Sequence, residues 1–287
     1  MAGVLNVIAT PIGNLQDWSA RAQQTLQQCQ LIVAEDTRIT RRLLAAAGIS
    51  CSGIRVLSCP AAQEHNRIKH VLAALQQNKS VGLVSDAGTP AISDPGSAIV
   101  QAAAAAGHRI CVLPGPSSPI AAMMGAGLNT ARFAFLGFLP RTLNSRKQIV
   151  QSATQAQLAL VICESPQRVA TLLKQLHEWC GPRRVVVARE LTKCFETFHR
   201  GLLGEPLSPP YQERGEAIVV VDATAPAAQQ PSAYQMDQLH QQAKQLLQQG
   251  LSPRDVTQQL RDSIALPKRE IYQVVQQLYN SINNRNA

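Results

Sequence analysis

The sequence contains no apolar run of the roughly 18 residues that a membrane-spanning helix needs, so we expect no membrane association. Residues 1–10 lack a basic stretch followed by an apolar one, so we expect no secretory signal peptide either. The seven cysteines never form a CxxC pair or a metal-ligand spacing. We therefore expect no bound metal and a reduced, cytoplasmic protein.

Two glycine-rich nucleotide motifs, GxGxxG and GxxxxGK[ST], are also missing, which argues against dinucleotide and nucleoside triphosphate sites. Acidic residues are scarce, with 18 Asp and Glu against 27 Lys and Arg, and the formal net charge is +9. This balance suggests an anionic partner without identifying it. At 45% hydrophobic, the 287 residues can bury a sizeable core, and the length argues for two domains plus an appendage.

Residues 1–118 alternate short apolar runs with longer amphipathic ones, which predicts an α/β domain with βαβ units and a largely parallel sheet. We expect ligands at the carboxyl ends of its strands. The predicted strands are residues 4–9, 31–35, 55–57, 81–85 and 109–113. The predicted helices are residues 20–28, 40–47, 66–77 and 97–106.

Residues 119–225 predict a second α/β domain with a mixed sheet, because the last three apolar runs stand as close together as in hairpins. The predicted strands are residues 133–137, 158–163, 185–189, 194–201 and 217–222, and a small-residue helix over 120–127 precedes them.

Residues 226–287 predict a linker and a small helical domain, with helices over 234–248, 253–263 and 267–281. Gly250 suits a helix C-cap, and Ser252 suits the next N-cap. The pattern is typical of a helix-turn-helix-like domain, and it fits a bundle used for packing or dimerisation equally well.

Three loops that follow predicted strands are rich in glycine and proline, so their backbone can approach a ligand closely. They are residues 10–15, with a helix expected near Asp17, then residues 84–96, and finally residues 114–119. Asp86 stands at a strand end and can accept hydrogen bonds from a ligand, whereas Asp94 is better explained as a turn or cap residue. In the second half, residues 163–168 and 188–193 each place a carboxylate beside a cation, which favours an interdomain cleft.

Seven motifs occur along the chain in an order that resembles the tetrapyrrole methylase superfamily. More narrowly, the chain resembles its subfamily that methylates a cytidine ribose of bacterial small-subunit ribosomal RNA. The motifs are TPIGNL, VSDAGTPAISDPG, PGPSSPIAA, GFLPR, ESPQR, ARELTK and RGE. Two positions depart from the pattern near His65: Gln63 stands where the family has histidine, and Arg67 where it has glutamate. In ESPQR, Gln167 also replaces a histidine.

The resemblance implies an S-adenosylmethionine-dependent transferase that holds its cofactor between two α/β domains. It also implies 2′-O-methylation of a decoding-centre cytidine in 16S ribosomal RNA, a small ribosomal subunit as partner, an RNA-contacting C-terminal domain and a homodimer. The cofactor contacts that it implies are Pro11, Asp86, Gly88, Thr89, Pro90, Ser117, Ser118, Leu191 and Ala217.

For the chemistry, we expect Glu190 as general base with Lys193 beside it, while Glu164, His65 and His199 stay open as alternatives. The expected phosphate contacts are Arg141, Arg146, Lys147, Lys268 and Arg269. Two other functions stay open. One is a C-methyltransferase acting on a tetrapyrrole, which would have no obvious use for the helical tail. The other is a non-catalytic RNA-binding assembly factor, against which the intact motifs count.

Overall fold

The computed structural model of the protein describes residues 3–225, 233–261 and 268–283. The chain forms two compact units, Met1–Ala225 and Pro226–Ala287. A further division of the first unit at residue 118 stays a prediction. Among the described residues, every helix is too short or too polar to cross a bilayer.

The first sheet of unit one is entirely parallel, as predicted. Its strands are β1 (Val4–Ile8), β2 (Leu31–Ala34), β3 (Arg55–Ser58), β4 (Ser80–Val84) and β5 (Arg109–Leu113), in the order β3-β2-β4-β1-β5. Because all five strands run the same way, the loops that leave them gather at one edge. Buried aliphatic side chains cover both faces of the sheet.

Four helices connect these strands: α1 (Ala20–Gln28), α2 (Thr37–Ala46), α3 (Glu64–Gln76) and α4 (Ser97–Ala105). The helix predicted over residues 20–28 is confirmed as α1, whereas the segment near Asp17, where a helix was also expected to begin, is a 3-10 turn. Leu15–Asp17 forms a 3-10 turn that the Asn14 side chain caps, and Trp18 is extended. The Trp18 indole N–H donates to the Ala9 carbonyl at 3.0 Å, and α1 begins at Ala20, after Ser19, whose hydroxyl accepts the Ala22 N–H as the N-cap.

The second sheet is mixed, as predicted. Its strands are β6 (Phe133–Phe138), β7 (Ala159–Glu164), β8 (Arg184–Arg189), β9 (Thr197–Leu202) and β10 (Ala217–Val221), in the order β6-β7-β10-β8-β9. The β6–β7 pair is parallel, and the other pairs are antiparallel. Strand β10 inserts between β7 and β8 instead of pairing with β9, because its five apolar residues are all buried and suit the sheet centre.

Three further helices belong to this half: α5 (Ser118–Ala126), α6 (Leu143–Gln155) and α7 (Pro166–Cys180). The small residues of α5 allow the close packing that the sequence suggests, since a Cβ on Gly125 would collide with the Phe198 ring. Ala122 and Met123 of α5 pack on the mixed sheet together with Ile12 from the first loop. This packing joins the two halves of unit one.

Unit two contains α8 (Ala233–Gln248), α9 (Pro253–Arg261) and α10 (Lys268–Asn283) around a small aliphatic core. Gly250 has a φ of +86°, which suits the predicted C-cap, and the Ser252 hydroxyl accepts the Asp255 N–H at 3.3 Å as the predicted N-cap. Most of the predicted linker and the break at residues 264–266 lie outside the described residues.

Candidate active site

Backbone hydrogen bonds join the loops that follow β1, β4 and β5. The Thr10 N–H donates to the Gly88 carbonyl at 2.8 Å, and the Gly88 N–H donates back to Thr10 at 3.1 Å. Gly88 has a φ of +88°, a conformation that glycine adopts without strain. The Thr89 hydroxyl donates to the Pro116 carbonyl at 3.1 Å and so adds the third loop. The three loops therefore form one continuous layer at the edge of the parallel sheet.

A cavity of about 410 Å³ lies where this layer meets loops of the mixed sheet, a volume typical of small-molecule sites. From the first half, its lining includes Ile12, Gly88, Thr89, Asp94, Ser117 and Ser118. From the second half, it includes Phe138, Cys163, Glu164, Leu191, Glu216 and Ala217. The cavity is thus built by both halves of unit one.

Glu164, the last residue of β7, is a buried carboxylate whose two oxygens are both engaged. Oε2 accepts from Arg146 Nη2 at 2.9 Å, and Oε1 accepts from Arg168 Nε at 2.7 Å. The Ser165 N–H also donates to Oε1, at 2.8 Å. A buried charge requires this degree of pairing, so Glu164 anchors one wall of the cavity.

Glu190, which follows β8, accepts two hydrogen bonds on Oε1, from the Glu216 N–H at 2.9 Å and from Lys193 Nζ at 3.2 Å. These bonds, that of the Glu216 N–H first, hold the pKa of Glu190 below its ordinary value. Lys193 Nζ also reaches Glu216 Oε2 at 3.0 Å. A Cβ on Gly215 would collide with the Glu190 carboxylate, so a substitution there would displace that side chain.

Asp94 and Cys163 face the same cavity with shifted pKa values. Burial raises the pKa of Asp94, and the charge of Asp86 adds to this, while a hydrogen bond with Ser85 opposes it. Burial raises the pKa of Cys163 to about 11, and the charges of Asp94 and Glu164 add to it. The thiol is therefore neutral at physiological pH.

A family model for tetrapyrrole (corrin/porphyrin) methylases matches residues 4–207, which contain the first sheet, all strands of the second except β10, and the cavity lining except residues 215–218. The chain belongs to the tetrapyrrole methylase family.

Three relatives of this methylase carry the name ribosomal RNA small subunit methyltransferase I. The protein of Synechocystis sp. is 38% identical over 95% of this chain and 97% of its own length. That of Xylella fastidiosa is 42% identical over 78% and 82%. That of Halalkalibacterium halodurans is 33% identical over 96% and 95%.

Two solved structures share the fold of this methylase at low sequence identity. The methyltransferase CobJ aligns with a TM-score of 0.60 and 21% identity, covering 77% of this chain and 94% of its own. The uroporphyrin-III-C-methyltransferase from Thermus thermophilus aligns with a TM-score of 0.51 and 18% identity, covering 77% and 92%.

Six of the nine predicted cofactor residues of this methylase line the cavity: Gly88, Thr89, Ser117, Ser118, Leu191 and Ala217. Pro11, Asp86 and Pro90 lie in the same loops but outside that lining. Asp86 instead accepts the Asp36 N–H at 3.0 Å and joins the loops after β4 and β2. Its pKa is raised, chiefly by burial.

The predicted catalytic pair, Glu190 and Lys193, is brought together by its hydrogen bond but lies outside the cavity lining. Of the predicted phosphate contacts, Arg141 and Lys147 are exposed. Arg146 is not free to bind phosphate in this arrangement, because its guanidinium is held by Glu164 and Gln175. The side chains of Lys268 and Arg269 lie outside the described residues.

Asp94 lies in a turn-rich loop, as one half of its interpretation has it, but the other half, a helix cap, is wrong. The first turn of α4 is capped by Glu64, whose Oε1 accepts the N–H groups of Gly96 at 3.0 Å and Ala98 at 2.6 Å. Asp94 lines the cavity instead. The unusual length of its loop was the available sequence signal. Glu64 lies 32 residues before Gly96, which is too far for local reasoning to pair them.

Two of the positions that depart from the motif pattern contact each other. Arg67 Nη2 donates to Gln63 Oε1 at 2.8 Å, and Arg67 Nε donates to the Ser58 carbonyl at 2.8 Å. His65 is exposed, and His199 is buried on β9 beside Pro209. All of these residues lie outside the cavity lining, so the departures leave the cavity intact.

Proposed function

We propose that this chain transfers the methyl group of S-adenosylmethionine to the 2′-hydroxyl of a decoding-centre cytidine in 16S ribosomal RNA. Family membership supports methyl transfer, and the names of the relatives support small-subunit ribosomal RNA as substrate. The observation that carries the proposal is the cavity between the joined loops of the parallel sheet and the end of the mixed sheet.

The chemistry of the cavity suits a sulfonium cofactor. Its described lining contains three carboxylates, Asp94, Glu164 and Glu216, and no lysine, arginine or histidine. The positively charged sulfonium of the methyl donor therefore meets no positive charge on the cavity wall. The apolar side chains of Ile12 and Leu191 suit a purine ring. When bound, S-adenosylmethionine supplies an electrophilic methyl group.

Exposed residues at the end of β6 and the start of α6 suit an RNA substrate. A ribose in folded RNA must be presented by extruding its nucleotide, at a cost of roughly a few kcal/mol. Arg141 and Lys147 are exposed near the start of α6 and can attract phosphates, which would offset part of that cost. Phe138 lines the cavity and is 65% exposed, so it offers an apolar contact to an extruded nucleotide.

Radiolabelled S-adenosylmethionine tests the reaction. The protein is incubated with small subunits that lack the modification and, separately, with naked 16S ribosomal RNA. We expect label in the subunits, recovered as 2′-O-methylcytidine after digestion to nucleosides. Label only in an added tetrapyrrole would favour the C-methyltransferase. Subunit binding without any transfer would favour the assembly factor.

Calorimetry tests the cofactor loops independently of the RNA. Asp86→Ala removes the acceptor of the Asp36 N–H and loosens the loop that carries Gly88. We expect loss of detectable S-adenosylmethionine binding. Glu178→Ala, at an exposed carboxylate on α7, is the matched control and should bind normally. Normal binding by Asp86→Ala would remove Asp86 from the site.

We also propose that the chain acts as a homodimer in the cytoplasm, as the resemblance implies. Sedimentation at the concentrations of the methylation assay should give twice the 31.0 kDa mass of one chain. A fully active monomer would contradict the dimer.

A further inference from the structure

We propose that Phe138 and Ile92 hold the base of the target nucleotide while its ribose is methylated. This inference rests on the proposed function, because it names the side chains that position the RNA substrate of that reaction. We call these two residues the apolar clamp.

Both residues of the apolar clamp line the cavity and face solvent. Phe138 is 65% exposed and Ile92 is 50% exposed. Every other large apolar side chain that is exposed among the described residues lies outside the lining. The lining residues Ile12, Leu191 and Ile218 are buried by contrast. The clamp therefore marks the place where the cavity opens to solvent, and a substrate as large as RNA has to enter there.

A β-bulge in β6 sets the position of Phe138. The register of β6 against β7 shifts by one residue between Phe135 and Gly137. Gly137 has a φ of +56°, and Leu139 is buried in the aliphatic core of the second half. Bulges of this kind redirect side chains beside active sites. Phe138 is thus left at the cavity while Leu139 anchors the end of the strand in the core.

The loop that carries Ile92 is also held in an unusual conformation. Ala91 and Ser93, on either side of Ile92, have φ values of +64° and +65°, which residues other than glycine rarely adopt. Backbone strain of this kind gathers at functional sites. A Cβ on Gly137 would lie 3.0 Å from the Ser93 hydroxyl oxygen, so the loop and the bulge are in close contact. The two clamp residues therefore come from touching segments, one in each half of unit one.

An unpaired nucleobase suits the clamp better than any charged group. Bases extruded from RNA stack on aromatic and apolar side chains. The described cavity lining contains three carboxylates and no lysine, arginine or histidine, so it admits a neutral base and repels a phosphate. Arg141 and Lys147, which follow Phe138 along the chain, are exposed and can contact the phosphates that stay outside. Base and phosphates are thus assigned to different side chains.

The purine of S-adenosylmethionine is the other flat ring in the proposed reaction. Ile12 and Leu191 suit that ring better than the clamp does, because both are buried and would shield it from water. Cofactor affinity is therefore measured separately from RNA methylation in the test below.

The test compares kcat/KM for small subunits, at saturating S-adenosylmethionine, between wild type and variants of Phe138. Removing an aromatic ring from a stacked base lowers kcat/KM by about 5–150-fold, which we expect for Phe138→Ala. Phe138→Trp keeps an aromatic face and should stay close to wild type. Ile92→Ala should lower kcat/KM by less than Phe138→Ala, because an aliphatic side chain presents no ring face to the base.

Phe133→Ala is the matched control. Phe133 opens the same strand, β6, is 41% exposed and lies outside the cavity lining. The variant loses an exposed ring of the same type and should keep the wild-type kcat/KM.

Three further measurements on Phe138→Ala separate base stacking from other roles. Calorimetric affinity for S-adenosylhomocysteine should equal that of wild type, because the clamp holds RNA. The slope of log subunit affinity against log salt should stay unchanged, because phenylalanine carries no charge. The urea midpoint of unfolding should also stay unchanged, since the side chain is largely exposed.

Four outcomes would overturn the proposal. They are an unchanged kcat/KM in Phe138→Ala, an equal loss in Phe138→Trp, weaker binding of S-adenosylhomocysteine by Phe138→Ala, and a loss in Phe133→Ala as large as that in Phe138→Ala. Failure of the proposed function would look different, because wild type itself would then transfer no methyl group to the subunits.

Discussion

Arg146 Nη2 lies 2.9 Å from Glu164 Oε2, and the two side chains are only 15% and 2% exposed. The pair joins α6 to the end of β7, where Glu164 lines the cavity. Removing one partner of a buried ion pair costs about 3–5 kcal/mol, because the other charge is left uncompensated. We expect Glu164→Gln to lower the free energy of unfolding by about that amount, measured by urea denaturation at pH 7.

The control for this prediction is Glu178→Gln, at an exposed carboxylate of α7, which should change stability by less than about 0.5 kcal/mol. A loss at Glu164 as small as that of an exposed pair, about 1 kcal/mol or less, would show that the charge of Glu164 contributes little to stability.

Alanine substitutions at Gly215 and Gly53 can distinguish two causes of destabilisation. One is a steric collision of the new Cβ, and the other is the unfavourable backbone conformation. Both glycines have positive φ values, +81° and +76°. A Cβ on Gly215 would collide with the Glu190 carboxylate, whereas a Cβ on Gly53 has nothing within 4 Å. We expect Gly215→Ala to destabilise the protein more than Gly53→Ala and to weaken S-adenosylmethionine binding, which Gly53→Ala should not affect. Equal thermal stability of the two variants would contradict the collision.

Glu190 should stabilise the folded protein at neutral pH, and this stabilisation should be lost in acid. Its pKa is lowered, chiefly by the hydrogen bond from the Glu216 N–H, so its contribution is present above the ordinary value of 4.5. That contribution is lost as the pH falls through the folded-state pKa. We expect Glu190→Gln to be less stable than wild type at pH 7, with the difference shrinking in acid. A difference that is independent of pH would exclude the charge as its cause.

Arg141 and Lys147 should contribute to RNA affinity through phosphate contacts, because both are exposed. We expect the double Ala variant to bind small subunits more weakly and to reduce the slope of log affinity against log salt by about 2. Lys174→Ala, at an exposed position on α7, is the control and should leave the slope unchanged. An unchanged slope in the double variant would place phosphate binding elsewhere.

Lys268 and Arg269 open α10, and the same measurement tests the second unit. Replacing both by Ala should weaken subunit binding while calorimetric affinity for S-adenosylmethionine stays constant. Equal subunit affinity would make unit two a packing or dimerisation device.

Local periodicity was sufficient to predict the strands. The ten predicted strands match the observed ones, and most of their ends agree within one residue; β9 begins three residues later than predicted. The alternation of short apolar runs with amphipathic segments is a property of neighbouring residues, so it can be recognised without knowledge of the fold. Glycine and proline marked the loops at strand ends for a related reason, since glycine permits positive φ and proline fixes φ, and both effects are local.

Partners distant in sequence were decided by tertiary structure alone. Strand β10 pairs with β7 and β8, Glu64 caps α4, and Arg146 joins Glu164. Each contact depends on which segments folding brings together, and residue type does not encode that choice.

The candidate site likewise has features that the sequence predicted and features that only the tertiary structure decided. Composition and motif order identified the loops that line the cavity and the family to which the chain belongs, because backbone that approaches a ligand restricts which residues can occupy it. Whether a carboxylate is free or paired depends on charges from other elements. Only the tertiary structure therefore separated Asp94, which has no ion pair among the described residues, from Glu164, which two guanidiniums enclose.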